Sequence, residues 1–324
     1  MGFLLHDPDP SRPIDKSCYN NTEKYVDLLT PTLPTPLEPL VDTITKGAGV
    51  RLFIKRDDLI HPQVSGNKWR KLKYNLIEAG QNGVSTILTF GGARSNHLYA
   101  TAAAGNALGI KTIGVVRGEE YNQKYTDTLL FCKQQGMQLI GISREEYRQR
   151  NDYEFIQHLK NEHGNPLVIP EGGTTRLSLP GVAEMVYETT IQLNGKPDYY
   201  AVAAGTGGTA AGILKTGATV LAFSALKGGS FLEDEILTLV NEPWGQEKLR
   251  LFTEYHHGRY ARHTPELLQF MQSFEQEHRL LLEHVYTGKM LFGLYDLMKK
   301  GYFSKGSSIV AVHTGGLQGR SHDQ

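Results

Sequence analysis

Residues 199–217 read "YYAVAAGTGGTAAGILKTG". Tyr199 to Ala204 form an apolar run of strand length, as expected for a buried strand. A glycine-rich loop follows at 205–209, and "TAAGILKTG" then reads as a helix. The same order recurs in "STILTFGGARSNH" (85–97), which a helical pattern also follows. "SSIVAVHTGG" (307–316) repeats the strand and the glycine loop. This is the grammar of an α/β protein with parallel strands. Its ligand site is expected in the loops at the C-terminal ends of those strands.

Outward from these loops, strands and helices alternate from about residue 71 to 169. "STILTF" (85–90), "KTIGVVRG" (111–118), "MQLIGIS" (137–143) and "PLVI" (166–169) read as strands. Helical stretches at 98–109, 125–136 and 144–164 separate them. This run has the look of a domain inserted in the chain. Upstream, "NKWRKLKYNLIEAGQNG" (67–83) places Trp69, Leu72, Leu76 and Ala79 at helical spacing. "RLFIKRDDL" (51–59) is a short strand ending in charges. Downstream come a helix at 179–193, a strand at 219–226 and a helix at 288–303, while 231–284 reads as charged and mostly helical. The prolines of "TPTLPTPLEPL" (30–40) exclude regular helix and central strand. Residues 1–45 are therefore expected to be an extended arm packed on a larger body.

The 324 residues carry 34 basic and 34 acidic side chains, so no global field favours nucleic acid or a membrane surface. Two distant cysteines, Cys18 and Cys132, make neither a disulfide framework nor a metal site, and they fit a reducing compartment. The N-terminus lacks the basic flank of a signal peptide, and His6 breaks the Gly2 acylation pattern. No apolar run is long enough to span a bilayer. The expected protein is cytoplasmic and globular. No metal ligation is expected, because "YHHGRYARH" (255–263) lacks helical ligand spacing and an arranged carboxylate.

Three stretches carry candidate chemistry. In "GTGGT", Gly205, Thr206, Gly207, Gly208 and Thr209 suit a phosphate: glycines admit the anion, and free N–H groups point at it from the helix start. A tight turn that binds nothing is the alternative. The loop also matches G-x-G-x-x-A, but the next strand ends "FSALKGG", without the acid that a dinucleotide site wants. In "GGARSNH", Ser95 and Asn96 either cap a helix or project into a cleft beside that loop. In "SGNKWRK" (65–71), Lys68 stands at a helix start beside Arg70 and Lys71. It is either a solvated charge or a lysine kept neutral enough to add to a carbonyl, because the helix dipole and nearby cations disfavour its ammonium form.

Jointly, "LPTPLEPL", "KRDDL", "GNKWRKL", "GGARSNH", "PEGG" (170–173), "GTGGTAAG", "VYTGK" (285–289) and "HTGG" (313–316) resemble the pyridoxal-phosphate (PLP) enzymes of fold type II, the tryptophan-synthase-β-like group. Within it the chain is most similar to the D-cysteine desulfhydrase / 1-aminocyclopropane-1-carboxylate (ACC) deaminase family, over nearly its whole length. The resemblance implies two three-layer α/β/α domains with twisted, mostly parallel sheets. Residues 1–70 with 170–324 would form the large PLP-binding domain, and 71–169 a small inserted one. It implies that Lys68 binds the cofactor covalently and later moves the substrate proton. Asn96 would bond the cofactor's ring oxygen, Gly205 to Thr209 would cradle its phosphate, and Thr314 would lie near its ring nitrogen. Ser95 and Tyr286 would be catalytic. Ser95, Asn96, His97, Tyr286 and Thr287 would contact a small amino-acid substrate. A homodimer is implied as well.

ACC deaminases typically carry glutamate where this chain has Thr287, and tend to carry glutamine where it has His97. Both positions resemble the desulfhydrase side, a β-elimination giving pyruvate, ammonia and sulfide. ACC deamination to 2-oxobutyrate and ammonia is the alternative. A nucleotide-binding oxidoreductase or a non-catalytic binder would be the reading without the resemblance. Trp69 and Tyr99 depart from the family pattern.

Overall fold

The computed structural model describes residues 29–258 and 261–320, and every structural statement below concerns these. The start of the proline-rich arm, with Cys18, lies outside them. The strands are β1 Leu37–Leu40, β2 Arg51–Lys55, β3 Thr86–Gly91, β4 Lys111–Arg117, β5 Gln138–Ile142, β6 Leu167–Ile169, β7 Tyr199–Ala204, β8 Val220–Ser224, β9 Leu249–Phe252 and β10 Ser308–Val312. The α-helices are α1 Thr43–Ala48, α2 Asn67–Gln81, α3 Asn96–Leu108, α4 Asp127–Gln134, α5 Tyr153–Glu162, α6 Ser178–Leu193, α7 Gly208–Lys215, α8 Leu232–Val240, α9 Gly245–Lys248, α10 Pro265–His278 and α11 Thr287–Lys299.

Two sheets organise them. The larger runs β1-β2-β10-β7-β8-β9, the smaller β5-β4-β3-β6. All neighbours are parallel except β1 and β2, where Leu37 faces Lys55 and Leu40 faces Leu52. The fold is the α/β class expected, with mostly parallel sheets. Pro39 of the arm sits on that antiparallel edge, opposite Phe53, where a missing N–H does no harm.

Both faces of each sheet are covered. Ala201, Ala203, Leu221, Phe223, Ile309 and Ala311 pack with Leu291, Leu294 and Met298 of α11. The alternate residues Tyr200, Val202, Ala204, Val220, Ala222 and Val310 pack with Val182 and Met185 of α6 and Ile213 of α7. In the smaller sheet, Ile87 joins Leu72 and Leu76 of α2, and Phe90 and Val115 join Tyr147 and Leu159 on the other side. Two buried faces explain why these strands show no polar alternation in the sequence. Among the described residues no helix is long and apolar enough to cross a membrane.

Two elements differ from expectation. Residues 43–48 leave the extended arm as α1, because Asp42 and Thr45 make a reciprocal capping box and Gly49 closes the helix in the left-handed conformation. Within 231–284, Leu249–Phe252 is strand β9, not helix. Four residues on a sheet edge are too few to show a period.

Candidate active site

The start of α2 is set by a close approach to β10. Gly66 has φ +63°, and a Cβ there would fall 2.0 Å from the Thr314 carbonyl oxygen, so only glycine fits. Asn67 N–H donates to that carbonyl at 3.3 Å. The Asn67 side chain then links two candidates: its Nδ2 donates to Thr209 Oγ1 at 2.8 Å, and Lys68 Nζ donates to its Oδ1 at 3.0 Å. Burial brings the Lys68 amine down to about 8, against the opposing pull of Glu283. The expected influence of Arg70 is absent. Its guanidinium is turned away into the core, bonded to Asp57 at 3.0 Å and Glu188 at 2.6 Å.

Lys71 does the opposite. It lies three residues from Lys68 on the same helix face, is buried, and donates to Thr174 Oγ1 at 2.7 Å and Thr206 Oγ1 at 3.4 Å. The two hydroxyls are themselves 2.6 Å apart. Burial and the neighbouring Lys68 charge push its amine well below the ordinary range. Gly208 brings the backbone against this cluster: a Cβ would lie 2.7 Å from Thr174 Oγ1 and 2.9 Å from Lys71 Nζ. Gly207, at φ +71°, opens α7, so the first N–H groups of that helix face the same place.

Ser95 caps α3, accepting from the N–H groups of His97 and Leu98 at 3.2 Å each, and it also lines the cleft. Asn96 lines it too and accepts from Gln318 at 3.0 Å. His97 is buried. The Thr89 hydroxyl commits its proton to the Ile169 carbonyl at 2.6 Å, so it accepts from His97 Nε2–H at 2.8 Å. Burial, then Lys68 and Lys71, hold this imidazole neutral, well below the usual histidine range.

Tyr286 faces the glycine loop: a Cβ on Gly205 would lie 3.0 Å from its Cε1 and 3.3 Å from its hydroxyl. Thr314 completes the wall. Thr287 does not: it is fully buried, and its hydroxyl has no partner. Glu283, buried below Tyr286, accepts from the N–H groups of Val285, Tyr286 and Thr287 at 2.7, 2.8 and 2.5 Å. Burial still pushes its carboxyl up to about 7.

One cleft of about 760 Å³ collects Lys68, Lys71, Ser95, Asn96, His97, Gly205 to Thr209, Tyr286 and Thr314. Of the residues singled out in the sequence, only Thr287 stands off it. Lys71, Thr174, Asn67 and Glu283 were missed. The helical spacing of Lys68 and Lys71 and the adjacency of Asn67 to Lys68 were usable signals, whereas Thr174 and Glu283 meet the site only through tertiary contacts. Trp69 and Tyr99 are packing residues. Trp69 is buried with Leu72, Leu76 and Ile60, and Tyr99 stacks on Phe131 with centroids 3.7 Å apart.

A family model described as pyridoxal-phosphate dependent enzyme matches residues 28–315. A Pyrococcus horikoshii protein, named provisionally as a 1-aminocyclopropane-1-carboxylate deaminase, is 32% identical over 309 residues, covering 89% of this chain and 91% of its own. The bifunctional D-cysteine desulfhydrase/1-aminocyclopropane-1-carboxylate deaminase of Arabidopsis thaliana, a mitochondrial protein, is 33% identical over 84% of this chain and 73% of its own. A crystal structure described as an ACC deaminase homologue superposes with a TM-score of 0.77 at 31% identity, covering 92% of this chain and 96% of that one.

Proposed function

Because the chain belongs to the pyridoxal-phosphate-dependent enzymes, we propose that it is a lyase of the D-cysteine desulfhydrase kind, eliminating sulfide from a small amino acid to give pyruvate and ammonia. The observation that carries the reading is one cleft holding two differently prepared lysines. Lys68 is an amine lowered to about 8, suited to a carbonyl. Lys71, with the Thr174 and Thr206 hydroxyls against Gly208, forms the donor set of a phosphate site. This set fits pyridoxal phosphate at both its aldehyde and its phosphate.

The cofactor, when bound, draws electron density from the substrate Cα. The chain supplies the rest. Lys68 holds the cofactor and moves the proton at Cα. Lys71, Thr174, Thr206 and the loop 205–209 fix the phosphate. Asn96 bonds the ring oxygen. Thr314 offers a neutral hydroxyl near the ring nitrogen, which does not hold a proton there as a carboxylate would, and this favours elimination over transamination. Ser95 takes the substrate carboxylate or relays a proton, His97 borders the substrate, and Tyr286 donates a proton from the opposite wall.

Position 287 favours elimination over ring opening, because its threonine is buried off the cleft and leaves no acid there for a cyclopropane carbon. The relatives' names keep ACC deamination as the second reading. Purified protein with D-cysteine should release pyruvate, whereas 2-oxobutyrate from ACC would select the second reading. If neither product forms, the substrate assignment falls. A homodimer belongs to the same proposal, and sedimentation tests it.

A further inference from the structure

Glu283 is a buried carboxylate beside the cleft that the reaction described above does not use. It is 2% exposed and holds the entry to α11 by three N–H groups, those of Val285, Tyr286 (at 2.8 Å) and Thr287. A short glycine turn, 314–316, lies between it and the start of α2. On one side Gly66 presses on the Thr314 carbonyl. On the other, a Cβ on Gly316 would lie 3.4 Å from Glu283 Cγ and 2.5 Å from Asn96 Nδ2. The carboxylate therefore sits under Tyr286, against the glycine turn whose other side meets the start of α2. Its negative charge opposes the effect of burial on the Lys68 amine. Charged groups that act on it include Lys68 of α2 and Lys289 of α11, the latter buried at 1% exposure, and Arg320 bonds the carbonyl of the neighbouring Leu282 at 3.0 Å. The polar neighbour is Asn96 of α3.

We propose that Glu283 is a positioning residue for two groups at once: it pins the main chain under Tyr286, and it is the buried counter-charge that lets Lys68 carry a proton inside the cleft. This rests on the reading of Lys68 and Tyr286 as the acid–base pair. In a desolvated cleft an ammonium without an opposite charge loses its proton readily. A lysine that must both release and accept a proton needs a partner that bonds elsewhere and does not compete for it. Glu283 meets this requirement because its oxygens are occupied by backbone N–H groups.

The test is the pH dependence of borohydride trapping of pyridoxal phosphate on Lys68, located by peptide mapping. In Glu283→Gln the one amide oxygen still accepts from the helix start, the other position becomes an NH2 that cannot, and the charge is gone. Its trapping midpoint should fall by about one pH unit below the wild-type value, while Glu283→Asp should stay within a few tenths. An unchanged midpoint in the glutamine variant, or an equal fall in both, would overturn the proposal. If the glutamine variant does not fold, the reciprocal measurement serves. Lys68→Met should raise the Glu283 titration, read by carbon NMR, above about 7, and no rise would overturn the coupling. If wild-type Lys68 is not labelled at all, the reading of the site fails instead.

Discussion

Lys71 Nζ lies 2.7 Å from Thr174 Oγ1, joining a helix of one sequence segment to the turn after β6. Both meet the glycine loop at Gly208. Lys71→Met removes the amine that donates to this cluster of hydroxyls. A charge-assisted hydrogen bond contributes about 1.5–3 kcal/mol, so the affinity for pyridoxal phosphate should fall by roughly one to two orders of magnitude. An absorbance titration of the variant checks this. Lys68 should still be labelled at saturating cofactor.

Ser95 has two jobs that substitution can separate. It caps α3, so Ser95→Ala should cost about 1 kcal/mol of stability, whereas Ser95→Gly should cost only a few tenths. Both remove the hydroxyl from the cleft. Turnover should therefore fall equally in the two variants, while calorimetry shows them unequal. Activity that tracked stability would reduce Ser95 to a cap.

Two glycines of the site should respond oppositely to alanine. At Gly66 the φ of +63° and a contact of 2.0 Å with the Thr314 oxygen leave no room, so Gly66→Ala should destabilise the protein severely, by more than about 3 kcal/mol. At Gly205 the nearest atoms to the new methyl belong to the movable Tyr286 ring, from 3.0 Å. Gly205→Ala should melt near the wild-type temperature and lose turnover.

The Lys68 amine, lowered to about 8, sets a pH profile for covalent loading of the cofactor-free protein. Only the neutral amine reacts. Below pH 8 the rate should rise about tenfold per unit, and above it the rate should level off. An ordinary lysine would keep rising to about 10.4. Stopped-flow absorbance between pH 6 and 10 distinguishes the two.

Much of this was legible in the chain. Unbroken apolar runs ending in glycine, such as Tyr199 to Gly205, announce strands buried on both faces, with their loops at a site. Neither α1 nor β9 was legible: the first depends on a three-residue capping exchange, the second on an edge pairing with β8. At the site, Lys68 could be singled out through its resemblance, but its state could not. The sequence suggested that neighbouring cations lower it, whereas Arg70 is neutralised by Asp57 and Glu188, and burial acts in its place. Glu283 stayed hidden inside 231–284, a stretch that reads as charged and mostly helical, because nothing local marks one of its acids as buried. Trp69 looked like a departure with a role, yet it fills the core under α2, where Trp69→Ala should cost about 3–5 kcal/mol in a denaturation experiment.

The central claim is that Lys68, and not Lys71 or Lys289, carries the cofactor. The direct measurement is borohydride reduction of the pyridoxal-phosphate-loaded protein, followed by peptide mass mapping. The account predicts a single stable adduct on Lys68, lost in Lys68→Ala and retained in Lys71→Met. An adduct on any other lysine, or undiminished covalent labelling of Lys68→Ala, would contradict it.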